Sequence, residues 1–149
     1  ICSAAYPFKG HPEMTIQLLD ADKDKEIEFG ENGYLLEIAA AATGFLYTKK
    51  EVYEAIRKQR NLPLCNTSFG APTYPFFHPN IFNENGEDYY LGEDFSFCRY
   101  ARDAGYKIIL DTTVKLKHIG LYPYQWEDLQ DKRPELSSIK YKSYRGNGS

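Results

Sequence analysis

The chain has 149 residues, of which 18 are Lys or Arg and 21 are Asp or Glu, so its formal net charge is −3. This length is enough for one domain with a real core and too short for two. Because the charges are interspersed and no apolar run approaches the roughly 20 residues of a membrane helix, the composition indicates neither a nucleic-acid-binding surface nor a membrane segment.

The first third of the chain is predicted to consist mainly of strands. Residues 1–7 form a short apolar run that ends at a proline, which is typical of a buried strand, and residues 11–19 fit a short helix. The Asn32-Gly33 pair predicts a hairpin turn. Strands are expected on both sides of that turn and beyond it, at 25–29, 34–38 and 39–47.

Two amphipathic helices are the most clearly marked elements. Thr48 and Glu51 have the spacing of a capping box, which predicts a helix over residues 49–60. A second helix is predicted over residues 94–104, where apolar residues recur on one stripe and Gly105 follows as a C-terminal cap.

A long segment over residues 61–90 is rich in Pro, Asn, Gly and aromatic residues. Loops of this length inside a compact domain are usually functional or disordered. Its aromatic content argues against disorder. The aromatic residues of the segment are Phe69, Tyr74, Phe76, Phe77, Phe82, Tyr89 and Tyr90.

Two further strands are predicted near the end of the chain, at 107–110 and 114–118, and residues 140–149 are expected to be poorly ordered. The elements together predict an α/β fold with mixed strands. The three cysteines are widely spaced and form no C-x-x-C pair, so we expect reduced thiols, with Cys98 in the core. No signal peptide is expected in ICSAAYPFKG, and these features together predict a cytoplasmic protein.

Glu93 and Asp94 place two carboxylates at the start of the second predicted helix. Backbone N–H groups and the helix dipole stabilise negative charge at this position. One interpretation is that both acids simply cap the helix. The other is that one carboxylate acts as a base beside a pocket formed by the preceding loop. The spacing alone does not separate the two.

His118 follows the last predicted strand and has no second histidine or cysteine near it in the sequence. A histidine in this position is either a hydrogen-bonded structural residue or a metal ligand. If it binds a metal, the other ligands must be acids from elsewhere. That ligand set indicates a hard cation such as Mg²⁺ or Mn²⁺ rather than structural zinc.

Three short patterns occur in a fixed order along the chain. They are TGFL at 43–46 before the first helix, GED at 92–94 at the start of the second helix, and HIG at 118–120 after the closing strands. Together they resemble the C-terminal half of a GT-A-type glycosyltransferase catalytic domain, of the broad family 2 kind. The resemblance covers residues 1–122, and residues 123–149 are interpreted as a polar, partly disordered extension.

The resemblance implies a partial GT-A-type fold, with a mixed sheet flanked by helices, and an inverting sugar transfer from a nucleotide-sugar to an acceptor hydroxyl. Asp94 would take the proton from the acceptor, and Glu93 would hold the acceptor or tune Asp94. His118 would complete the coordination of a divalent cation, Mn²⁺ or Mg²⁺. The acceptor or sugar pocket would be lined by Gly44, Phe45, Tyr74, Phe76 and Phe77.

The chain departs from the family where the donor nucleotide should bind. In these enzymes an N-terminal βαβ half ending in a D-x-D motif precedes the strand that residues 1–7 resemble. Two D-x-D strings, at 20–22 and 22–24, follow that strand instead, and neighbouring lysines indicate a solvated turn. We therefore expect a fragment that is inactive alone and that hides its exposed sheet edge and apolar face by self-association.

Two other functions are compatible with the same residues. The chain could be a non-catalytic carbohydrate-binding or assembly module that uses the aromatic loop. It could also have a purely structural role, with the acids as helix caps and His118 in the core.

Overall fold

The computed structural model describes residues 1–9, 11–119, 124–125 and 138–142, the last two ranges by their backbone alone. Two α-helices are present in these ranges, α1 (Lys50–Arg60) and α2 (Glu93–Asp103). The strands of the first half are β1 (Cys2–Ser3), β2 (Ile16–Gln17), β3 (Glu26–Gly30), β4 (Leu35–Ile38), β5 (Ala40–Ala41) and β6 (Leu46–Tyr47). Those of the second half are β7 (Asn80–Glu84), β8 (Glu87–Leu91), β9 (Ile108–Asp111), β10 (Lys117–His118), β11 (Tyr124–Gln125) and β12 (Ser138–Lys142).

A four-stranded sheet in the order β4-β9-β1-β6 forms the centre of the fold. β1 runs parallel to β9, and the other two pairings are antiparallel. One face of this sheet carries Ile38, Ile108 and Leu110, which are completely buried because alternate side chains of a strand point to the same side. The protein is therefore a mixed α/β fold with a mixed sheet, as expected from the sequence.

Both predicted helices are confirmed to within one residue of their predicted bounds. α1 buries Val52 and Ile56, which are four residues apart on one face, and α2 buries Phe97 and Ala101 with the same spacing. The capping box is wrong. α1 begins at Lys50, so Lys49 and not Thr48 occupies the cap position, and the Thr48 hydroxyl is buried without a hydrogen bond to any described residue.

Residues 11–19 form extended structure and not the predicted helix. Met14 pairs with Pro7, and β2 pairs with β5. The backbone N–H and the hydroxyl of Thr15 both donate to the Tyr6 carbonyl, at 3.0 and 2.8 Å. Because neighbouring chain segments satisfy these backbone groups, tertiary pairing overrides the local helical pattern.

The turn before β4 exists, but the predicted hairpin does not. Gly33 N donates to Gly30 O at 2.9 Å, yet β3 pairs with β12 and β4 pairs with β9. Tyr34 and Thr112 exchange backbone and hydroxyl hydrogen bonds of 2.8 to 3.1 Å. A Cβ atom on Gly33 would lie 2.7 Å from the Thr112 backbone, so this close approach requires glycine and directs β4 onto β9.

The hairpin of this chain lies inside the segment that was predicted to be one long loop. β7 and β8 pair over their full lengths around Asn85 and Gly86, which have φ angles of 52° and 84°. Two successive positive φ angles are typical of a two-residue hairpin turn. The predicted strand over 39–47 is also interrupted, by a 3₁₀ turn at Thr43–Phe45 between β5 and β6.

The tail is partly ordered, contrary to the prediction for residues 140–149. Residues 140–142 belong to β12, which pairs antiparallel with β3 along five residue pairs. Residues 143–149 lie outside the described residues, as do most of the predicted extension over 123–149 and Gly120 of the HIG pattern.

Candidate functional site

Asp94 lies in the first turn of α2 and binds a second chain segment with both carboxylate oxygens. The backbone N–H of Thr43 donates to Oδ2 at 3.1 Å, and the Thr43 hydroxyl donates to Oδ1 at 2.5 Å. Gly92 occupies the cap position of α2, and no side chain caps this helix by a hydrogen bond. Asp94 therefore connects α2 to the Thr43–Phe45 turn, and it does not serve as the hydrogen-bonding cap of its own helix.

Gly44, the next residue of that turn, lies against Tyr6. Its backbone N–H donates to the Tyr6 hydroxyl at 3.0 Å. A Cβ atom at this position would lie 2.5 Å from Cζ of the Tyr6 ring, so any larger residue would displace the ring. Glycine therefore allows this contact between the backbone and the aromatic side chain without a shift of the Tyr6 ring.

His118 lies on the other side of the Tyr6 ring. The two rings meet edge to face, with their centroids 5.1 Å apart. Nδ1 of His118 is 3.1 Å from the Pro7 carbonyl oxygen. Because a carbonyl can only accept, Nδ1 carries a proton, which leaves Nε2 as the nitrogen that can accept when the ring is neutral. A metal-binding or proton-accepting histidine is usually oriented in this way.

These contacts define one continuous group, the Asp94–His118 site, which consists of Asp94, Thr43, Gly44, Tyr6 and His118. A cleft of about 200 Å³ opens at its His118 end, lined by Tyr6, Gly44, Leu116, Lys117 and His118. Tyr6 and Thr43 were not among the predicted site residues. Thr43 stands directly before Gly44 in the TGFL pattern and could have been singled out there. Tyr6 has no comparable sequence signal.

Among the described residues, the remaining predicted site residues make no hydrogen bond or ring contact with this group. Glu93 is exposed and makes no hydrogen bond or ion pair with any described residue, and the Phe45 side chain is also exposed. Phe76 packs edge to face on Tyr53 of α1, and Phe77 stacks on Phe97 of α2 at 4.4 Å.

Tyr74 completes this arrangement, since its hydroxyl accepts a hydrogen bond of 3.1 Å from Arg57. Tyr74, Phe76 and Phe77 therefore form an aromatic surface over the two helices.

The two D-x-D strings form a turn in which two of the three carboxylates are paired with lysines. Asp20 pairs with Lys23, and the buried Asp22 pairs with Lys25. The hydrogen bond and the negative charge of Asp22 raise the pKa of Lys25. Within the described part of the chain, no three His, Cys, Asp or Glu side chains form a group that could hold a metal ion.

Comparison of the chain with protein-family models, with curated proteins and with solved structures gives no significant match. The likeness to glycosyltransferases therefore depends on the residue patterns of this chain. Among the described residues, no helix has both the length and the apolar character needed to cross a bilayer.

Proposed function

We propose that this chain is the acceptor-side part of an inverting, GT-A-type glycosyltransferase of the family 2 kind. In the intact protein it would transfer a sugar from a nucleotide-sugar to an acceptor hydroxyl. One observation carries the proposal. The three patterns at 43–46, 92–94 and 118–120 are far apart in the sequence, and the contacts of Asp94 with Thr43, of Gly44 with Tyr6 and of Tyr6 with His118 bring them into one site.

Asp94 has the geometry of a general base. Each of its oxygens accepts one hydrogen bond from Thr43, and a carboxylate oxygen has two acceptor positions, so capacity remains for a substrate hydroxyl. In the proposed reaction the acceptor oxygen bonds to the anomeric carbon while the bond to the nucleoside diphosphate breaks. The acceptor proton moves to Asp94. Attack opposite the leaving group inverts the anomeric configuration.

The neighbouring residues support this role without taking the proton themselves. Thr43 fixes the carboxylate with two donors, which limits its rotation, and Asp94 is only partly buried. Glu93 is exposed beside it and could hold another hydroxyl of the acceptor. The Mn²⁺ or Mg²⁺ ion, the nucleotide-sugar and the cytoplasmic location remain predictions from the sequence.

The substitution Asp94→Asn tests the proposal when it is made in a longer protein that includes a donor-binding half. Asparagine can keep both contacts with Thr43, because Oδ1 accepts from the backbone N–H and the Thr43 hydroxyl can turn to accept from Nδ2. The charge is lost while the fold is kept. We expect turnover of a nucleotide-sugar panel to fall by about 10²- to 10⁴-fold, with acceptor binding retained.

Asp88→Asn is a matched control, because this exposed aspartate lies on the hairpin and contacts only Asn83. Its turnover should equal that of the unmodified protein. Undiminished turnover by Asp94→Asn would refute the assignment of the base. Absence of any turnover in the extended protein, together with binding to glycans, would favour the alternative function.

That alternative is a non-catalytic carbohydrate-binding module, and exposed aromatic rings favour it. Phe69 is 81% exposed at a loop turn, and Phe77 is exposed on the aromatic surface over the helices. Such rings can stack on sugar faces. A glycan array tests this alternative. Binding by the chain should be lost in Phe69→Ala and Phe77→Ala and should be retained in Asp94→Asn.

A further inference from the structure

A second cleft, of about 290 Å³, lies on the flank of α2 that faces the hairpin β7–β8. Its helical wall is formed by Phe95, Arg99 and Arg102, which share one face of α2 because they are four and three residues apart. The hairpin and the segment around Gln17 form the other walls. The members of the Asp94–His118 site line neither this cleft nor its rim, so the two are separate.

The cleft is lined by three cationic and two anionic side chains, and four of these five are paired. Lys23 binds Asp20. Arg99 binds Glu84 and also Asp103, the latter at 3.0 Å, so its guanidinium is held in place between two carboxylates. The charges of these residues are thus largely offset within the protein itself.

Arg102 is the exception among the lining charges. Its side chain is exposed and makes no hydrogen bond or ion pair with any described residue. A guanidinium presents parallel N–H donors whose spacing matches the two oxygens of a carboxylate or a phosphate. The unpaired donors at the rim of this cleft therefore select for an oxyanion.

The other lining groups indicate what carries that oxyanion. Ligand pockets usually measure about 300–1,000 Å³, so this cleft suits a ligand at the small end of the range. Gln17 and Asn85 offer amide groups for hydroxyls, and Tyr89 presents a half-exposed ring whose hydroxyl donates to Glu87 at 2.6 Å.

We propose that this cleft binds a small polar organic anion of about the size of a monosaccharide, a carboxylate or a phosphate ester, through a two-pronged contact with Arg102. The proposal does not depend on glycosyl transfer. It concerns a site on a different flank of α2 from Asp94.

Titration of the ¹⁵N-labelled chain with D-glucuronate, D-glucose 6-phosphate and neutral D-glucose tests the proposal by NMR. We expect at least one anion to shift the amide signals of Gln17, Asn85 and Arg102 saturably, and glucose to leave them in place. Which anion binds identifies the carboxylate or the phosphate as the preferred group.

Arg102→Gln should weaken that binding by about tenfold or more, because it removes a charge-assisted hydrogen-bonding pair. Arg102→Lys keeps the positive charge but loses the paired N–H donors of the guanidinium, and it should weaken binding to an intermediate degree. The matched control is Lys58→Gln, which removes an exposed cation from α1 and should bind as the unmodified chain does. Dispersed amide spectra will show that each variant is folded.

Three results would overturn the proposal. They are wild-type affinity in Arg102→Gln, equal binding of glucose and the anions, and the lack of any saturable shift up to about 10 mM anion. In the last two cases Arg102 would be an ordinary solvated surface arginine.

Discussion

The thiol of Cys98 lies in the core, one helical turn after Asp94. It is completely buried and donates a weak hydrogen bond to the Ala41 carbonyl at 3.5 Å. Burial, reinforced by the negative charge of Asp94, raises its pKa from 9.0 to about 11. The side chain is therefore a neutral thiol at physiological pH, as the prediction of a small core residue requires.

This shift makes the stability of the protein sensitive to alkaline pH. The native thiol keeps its proton up to about pH 11, whereas the unfolded thiol loses it above about pH 9. The contribution of Cys98 is fully present below pH 9 and is lost as the pH rises toward 11. The expected loss is about 2–3 kcal/mol of the free energy of unfolding.

Urea unfolding at a series of pH values between 8 and 11 measures this effect. Cys98→Ala should show a smaller decline over the window than the unmodified chain. Cys65→Ala, which removes a half-buried thiol from a loop, is the matched control. Identical declines for Cys98→Ala and the unmodified chain would contradict the expectation.

At the scale of elements, the same dipeptide leads to two different outcomes. Asn85-Gly86 closes the hairpin β7–β8, while Asn32-Gly33 forms part of a turn whose flanking strands find other partners. Turn chemistry fixes the local backbone, but the pairing of strands depends on contacts with distant residues such as Thr112. The two helices were predictable because their apolar spacing is a local signal.

The hairpin should depend on the positive φ angle of Gly86. Alanine at a φ of 84° is strained, so Gly86→Ala should lower the free energy of unfolding by about 1 kcal/mol or somewhat more. Gly86→Asn is the control, because asparagine adopts a positive φ more readily than alanine does, so its effect should be smaller. Equal effects in urea denaturation would argue against a strained turn.

Three of the predicted site residues lie on one chain of contacts in the structure, and the residues that connect them were not predicted. Asp94, Gly44 and His118 were expected in one site, and one chain of contacts joins them. The connecting residues are Thr43 and Tyr6. The Thr43 hydroxyl donates to Asp94, 51 residues away in the sequence, and the Tyr6 hydroxyl accepts from Gly44, 38 residues away. Hydrogen bonds at such separations leave no periodic pattern in the sequence, so only the folded structure identifies them.

At the scale of the whole molecule, the outer face of the four-stranded sheet has an exposed apolar patch beside the carboxylates of Glu37 and Asp111. Leu35 is 67% and Tyr47 is 64% exposed, and together with Cys2 and Ile109 they line an open cavity of about 380 Å³. Exposed apolar faces of this kind favour association. The self-association expected from the resemblance could therefore take place through this patch.

We expect the unmodified chain to sediment as a dimer or larger species at micromolar concentrations. Leu35→Lys should shift it to a monomer, because a charge would have to be desolvated in the contact. Ile81→Lys is the control, since Ile81 is also an exposed apolar residue but lies on the hairpin. A monomeric wild-type chain, or association unaffected by Leu35→Lys, would show that this face is not the contact.

The order of strands in the sheet also determines when the protein can fold. β1 lies between β6 and β9, and Cys2 is in register with Ile109, roughly a hundred residues later in the chain. Closing so long a loop is slow, whereas α1, α2 and the hairpin need only local contacts. During synthesis the local elements can therefore form on the ribosome, while β1 stays unpaired with β9 until residues 108–111 have been made. Until then β6 is the partner in this sheet that β1 can pair with, and the unfinished sheet exposes a free strand edge, which favours aggregation.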